Sequence, residues 1–162
     1  MKNAVVMLLA TLICCTILTG CSEKTAEEQL AVYSFSGENE NFAVSNGVIV
    51  LASTEEIFYG GDLEVSPGKF DDITAYSVTC YIISDNGKDI LLSNSVEDMT
   101  GETIHISGDI GKRSGGDIII RQATAELQNN LYCELETTDL DGEKNNYQLQ
   151  LTLTEVTGKV GN

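Results

Sequence analysis

The stretch Ile73-Thr74-Ala75-Tyr76-Ser77-Val78-Thr79-Cys80-Tyr81-Ile82-Ile83-Ser84 decides the fold. Tyr76, Val78, Cys80 and Ile82 recur at every second position, and Ser77, Thr79 and Tyr81 stand between them. Successive side chains of a strand point to opposite faces, so this spacing predicts a strand with one face on a core and the other toward water. Asp85-Asn86-Gly87 follows, residues that tolerate the positive φ of a tight hairpin, and Lys88 to Ser93 is the expected return strand.

The same texture extends in both directions. Ala31 to Ser36 sets Val32 and Phe35 among polar neighbours, and Phe42 to Ser53 contains the β-branched run Val48-Ile49-Val50-Leu51. Ile57 to Val65 is interrupted by Gly60-Gly61, which predicts a bulge or bend. Thr103 to Ser107 reads as a short strand with Ile104 and Ile106 inward, and the glycine-rich Gly108 to Gly116 as a loop. Asp117 to Arg121 reads as the start of a strand, and Gln122 to Asn130 as a helical turn between two strands. Leu131 to Thr138 alternates again, with Leu131, Cys133 and Leu135 opposite Tyr132, Glu134 and Glu136. A turn at Asp141-Gly142 leads into Tyr147 to Val156, with Tyr147, Leu149, Leu151 and Leu153 inward. Alternating strands need a facing apolar layer. The expected fold is therefore all-β, a single antiparallel β-sandwich over residues 31–157, immunoglobulin-like in shape, with a short tail at 158–162. A closed barrel is the other arrangement. The Cys, Trp, Cys pattern of true immunoglobulin domains is missing, because the chain has no Trp.

Composition narrows the function. The 162 residues are 42% apolar, enough for one core, and carry 25 acidic against 9 basic side chains. A net charge of −16 argues against nucleic-acid binding, which depends on cations replacing the counterions of phosphate. One His excludes multi-histidine metal sites.

The N-terminus reads as an address. Lys2 precedes Ala4 to Leu18, apolar apart from Thr11 and Thr16. A basic residue before a short apolar run is the pattern of a secretory signal, and the run falls short of the roughly 20 residues that span a bilayer. It ends in Leu18-Thr19-Gly20-Cys21, which resembles the lipobox of bacterial lipoproteins. The resemblance implies that residues 1–20 are a lipoprotein signal peptide, cleaved between Gly20 and Cys21. It also implies that the Cys21 sulfur carries a diacylglyceryl group, and that acyl chains hold the chain on the extracytoplasmic face of the cell membrane. Residues 21–30 would be a tether with a reach of roughly 30 to 35 Å. Loss of Lys2 alone would take the charge to −17. The body, on Tyr33-Ser34-Phe35-Ser36-Gly37-Glu38, the Asn41 to Val50 strand and Gly60-Gly61, is similar to small lipoproteins of Gram-positive bacteria, a likeness that implies a sandwich and no activity.

Candidate chemistry is sparse. His105, between Ile104 and Ile106, should face solvent, and no G-x-S-x-G nucleophile motif occurs. Gly111-Lys112-Arg113-Ser114-Gly115-Gly116 looks like a phosphate loop but fails its spacing, so it reads as a mobile hairpin loop or a contact for an anion or partner. Asp139, Asp141 and Glu143 place oxygens at alternate positions, a pattern that serves a hairpin turn or weak calcium binding. Cys80 and Cys133 both fall on inward faces, either as free buried thiols or as a disulfide, depending on their Cα separation. The expected function is non-catalytic, with no cofactor: a lipid-anchored binding or envelope-scaffolding domain. Its partners would be the membrane, through the anchor, and an envelope protein or small ligand. A calcium-dependent binding or adhesion module is the alternative. An envelope hydrolase with paired carboxylates ranks below both.

Overall fold

The computed structural model describes residues 30–85, 87–116, 118 and 124–157. Their elements in chain order are β1 (Ala31–Glu38), β2 (Phe42–Leu51), β3 (Glu56–Tyr59), β4 (Asp62–Val65), β5 (Ile73–Ser84), β6 (Gly87–Glu97), β7 (Ser107–Asp109) and β8 (Lys112–Gly115). A short helix α1 (Thr124–Asn130) and strands β9 (Leu131–Asp139), β10 (Lys144–Gln150) and β11 (Thr152–Glu155) complete them. All pairings are antiparallel. One sheet runs β11-β1-β2-β3-β8, with β4 beside β2 and β7 beside β4; the other runs β10-β9-β5-β6. The expected antiparallel all-β sandwich is what forms.

The alternation read along Ile73–Ser84 holds. Val78, Cys80 and Ile82 of β5 are buried, and so are Leu131, Cys133 and Leu135 of β9. They face Phe35, Ile49 and Phe58 of the other sheet in one apolar core, within which the rings of Phe35 and Phe58 stack at 5.3 Å. Leu127 of α1 is fully buried, and the helix packs on β5, β9 and β11. Opposite Cys80 and Tyr81 the register of β6 slips by one residue, from Leu92 to Ile90, and the extra residue, Leu91, is buried.

The larger sheet is bent along a line of special backbone. β3 and β4 keep one register against β2, from Leu51↔Glu56 through to Phe42↔Val65. β7 and β8 likewise keep one register against them. The gap between the halves is bridged by Gly60 N–H to the Gly111 carbonyl at 2.8 Å and Ile110 N–H to the Gly61 carbonyl at 2.9 Å. Gly60-Gly61 is thus a bend within one long strand, as expected. Gly61 has φ 82, and a Cβ there would lie 2.1 Å from the Ser45 carbonyl oxygen. At Gly47 a Cβ would lie 2.1 Å from the Phe35 ring.

Three expectations are corrected here. Gly108 to Gly116 is not a loop: it contains β7 and β8. Positive φ at Gly108 and Gly111 lets this edge segment follow the bend, and an edge strand needs few apolar residues. Thr103 to Ser107 is not a strand, since only Ser107 belongs to β7, although Ile106 is buried as expected. Tyr147 to Val156 divides at Leu151 into β10 and β11, one in each sheet, where the Leu151 N–H bonds the Leu131 carbonyl at 2.9 Å. The segment 117–123, read as the start of a strand, lies outside the described residues except for Ile118, which packs against the core.

Candidate functional site

Registers fix what the outer face of the four-stranded sheet displays. One row is Asn146, Glu136, Ser77 and Ser95; the next is Gln148, Glu134, Thr79 and Ser93; the third is Gln150, Tyr132, Tyr81 and Ile90. Amides, carboxylates and hydroxyls fill the first two rows because these are the polar positions of alternating strands.

Tyr81 is the exception. It points outward yet is only 2% exposed, and among the described residues it is the one buried apolar side chain outside the core cluster. Its ring stacks on Tyr132 at 5.8 Å and lies beneath the Lys88 ammonium, 3.9 Å from the ring centroid. Its hydroxyl donates to Glu134 Oε2 at 3.2 Å and accepts from Gln148 Nε2. Lys88 Nζ meets the same Glu134 Oε2 at 2.7 Å, and Asn146 Nδ2 reaches Glu134 Oε1 at 3.1 Å. Burial alone would raise Glu134, but the bonds from Lys88 and Asn146 hold its carboxyl below the usual carboxylate range. Burial, chiefly, pushes the Tyr81 hydroxyl up. The Glu134 hydrogen bond raises Lys88 against the opposing effect of burial. A shallow groove of about 390 Å³ continues this face past Ser77, Glu136 and Asn146.

The outer face of the bent sheet is different. Val32, Val50 and Ile57 share one row, and Ser34, Val48 and Tyr59 the next, all partly buried. A cleft of about 490 Å³ is lined by His105, Asp62, Glu64 and Asp71 among others. His105 is exposed, as its place between two isoleucines implied.

The remaining candidates resolve into structural roles. Arg113 of the Gly-rich segment donates to the carbonyls of Ile90 and Leu91 at 3.4 and 3.2 Å, tying the two sheets together. Asp139 Oδ1 accepts from the N–H groups of Asp141 and Glu143 at 3.0 and 2.8 Å, the geometry of a capped hairpin turn. Among the described residues no group of three or more His, Cys, Asp or Glu is placed to hold a metal ion. Cys80 and Cys133 are register partners with free thiols, their sulfurs 3.9 Å apart. Gly20 and Cys21 lie outside the described residues.

Sequence reasoning placed Tyr81 on the outward face but missed its burial, and it missed Glu56, 2% exposed at the start of β3. The signal for Tyr81 was an aromatic residue at a polar position, with Tyr132 and Glu134 at the matching positions of a second strand. Compared with protein-family models, with curated proteins and with solved structures, the chain matches none.

Proposed function

We propose that this chain is a lipid-anchored, extracytoplasmic, non-catalytic binding protein whose recognition surface is the outer face of the four-stranded sheet. The observation that carries the reading is the Tyr81 cluster. A ring buried on the solvent side of a sheet, with its hydroxyl bonded on both sides, holds the polar side chains around it in fixed positions, as a recognition surface requires. Those neighbours, Glu134, Glu136, Asn146, Gln148, Ser77 and Thr79, are donors and acceptors at strand spacing. Sugar hydroxyls both donate and accept, so a polyhydroxylated envelope polymer matches this set. Glu134 is already neutralised by Lys88, which favours a neutral glycan over an ionic ligand. Two variants, Asn146→Ala and Gln148→Ala, should each weaken retention on isolated cell-wall glycan about tenfold or more without lowering the melting temperature by more than a few degrees. Unchanged retention in both would overturn the reading.

The anchor has its own test. Cys21→Ser should release the protein from membranes, and the wild-type N-terminal peptide should carry a thioether-linked lipid. An unmodified N-terminus elsewhere would reject it.

A second reading, envelope scaffolding through the bent sheet, is favoured by its outward Val32, Val48, Val50 and Ile57. These side chains are partly exposed, and outward apolar rows of this kind can serve protein contacts. Loss of a partner on Val48→Thr with Val50→Thr, and not on Asn146→Ala, would put this reading first.

A further inference from the structure

Beneath the Tyr81 cluster lie the two thiols. Cys80 sits between Thr79 and Tyr81, and Cys133 between Tyr132 and Glu134, so each cysteine is flanked by residues of the polar face. Both are 0% exposed at the centre of the sheet. Directly opposed residues of an antiparallel pair have Cα atoms about 4.5 or 5.5 Å apart. Both spacings fall in the range of about 4.4–6.8 Å that a disulfide spans. The sulfurs, 3.9 Å apart, need only side-chain rotation to meet.

We infer that Cys80 and Cys133 are a modification site, a cross-strand disulfide whose presence is settled while β5 and β9 are pairing and cannot readily change afterwards. The chemistry is thiol–disulfide exchange with a disulfide oxidant. One thiolate attacks the oxidant and releases one of its sulfurs as a thiol, forming a mixed disulfide. The second cysteine then displaces the other, so two protein thiols become one disulfide and the oxidant becomes two thiols. Exchange requires a thiolate and a line of approach. In the folded sheet both are denied: no oxidant reaches a sulfur at zero exposure, and the bond from Cys80 together with burial holds the Cys133 thiol far above its ordinary value. The unfolded chain has neither obstacle. Once closed, the bond staples the strands that carry Tyr81–Tyr132 and Thr79–Glu134, so it would order the polar face whatever ligand that face takes.

Oxidised glutathione is the probe. The reduced native protein and the same protein diluted from urea are held in one buffer with the oxidised and reduced couple, quenched by alkylation, and mapped by peptide mass. The refolded sample should yield a Cys80–Cys133 cross-linked peptide lighter by two hydrogens and melt higher than the reduced form. Over the same period the native sample should be converted to less than about one-tenth of that extent. Native protein that oxidises as fast as the refolding chain would overturn the gating. Refolded protein with free thiols or glutathione adducts at these positions would overturn the bond. Should refolding fail, trapping the thiols of protein taken from intact cells decides: a mixture that interconverts under added oxidant without unfolding rejects the inference.

Discussion

Across the centre of the bent sheet the outward rows are Val32–Val50–Ile57 and Ser34–Val48–Tyr59, whereas the four-stranded sheet turns out Asn146–Glu136–Ser77–Ser95 and Gln148–Glu134–Thr79–Ser93. Both sheets bury the same kind of inner face, so the contrast lies outside the core. It lies in the backbone as well. The first sheet has positive φ at Asn46, Gly61 and Gly111 as well as a register shift at Phe35–Gly37, while the second has register shifts at Ile73–Ala75 and opposite Cys80–Tyr81. Burial alone fixes an inner face; what an outer face displays is free to serve another purpose. The outer faces differ in chemistry: the first is largely apolar, whereas the second carries the polar cluster around Tyr81.

The largest effect should come from the bend. Gly61→Ala places a Cβ against the Ser45 carbonyl at a φ of 82 and should cost about 3 kcal/mol or prevent folding. Gly142, with φ 79 in open space, is the control: Gly142→Ala should cost only about 1 kcal/mol by urea denaturation. Equal losses would mean that φ alone, not the close contact across strands, sets the bend.

Next comes the polar cluster. Tyr81→Phe removes a hydroxyl bonded to Glu134 and Gln148 and should cost about 1–1.5 kcal/mol. Its charges give the sheet a pH signature. Glu134 is lowered in the folded state, so its contribution is present above the usual carboxylate range and lost as pH falls through the folded value. Lys88 and Tyr81 are raised, so theirs is present below their ordinary values and lost as pH rises through the folded ones. Glu134→Gln should therefore be less stable than wild type at pH 7, with the gap closing below about pH 4. A gap that persists in acid would trace it to packing.

A smaller gain is expected at Thr137. Its Oγ1 is buried without a partner on the inner face of β9, so Thr137→Val should stabilise by about 1 kcal/mol. A loss would place an ordered water or other partner on that hydroxyl. Smallest of all, Val50→Thr on the bent sheet should shift stability by no more than about 0.5 kcal/mol while lowering surface hydrophobicity. Melting curves and binding of a hydrophobic dye would check it.

Much of this was legible because alternation is a local code. Ile73–Ser84 and Leu131–Asp139 announced their inner faces, since side chains two apart share a face whatever the rest of the chain does. Gly108 to Gly116 was misread as a loop because an edge segment with four glycines owes its conformation to its neighbour, not to its own residues. The Tyr81 cluster draws on β5, β6, β9 and β10, from Tyr81 to Gln148, and residues so far apart are joined only by register.

The sequence by itself determined the fold class, the inward faces and the turn at Asp139–Glu143, whose hydrogen bonds close within five residues. Tertiary structure alone decided that Tyr147 to Val156 serves both sheets, that Cys80 faces Cys133, and that Tyr81 is buried on the open side. The physical reason is range. Side-chain alternation and turn chemistry act over a few residues, whereas pairing partners and burial depend on which distant strands come to lie side by side.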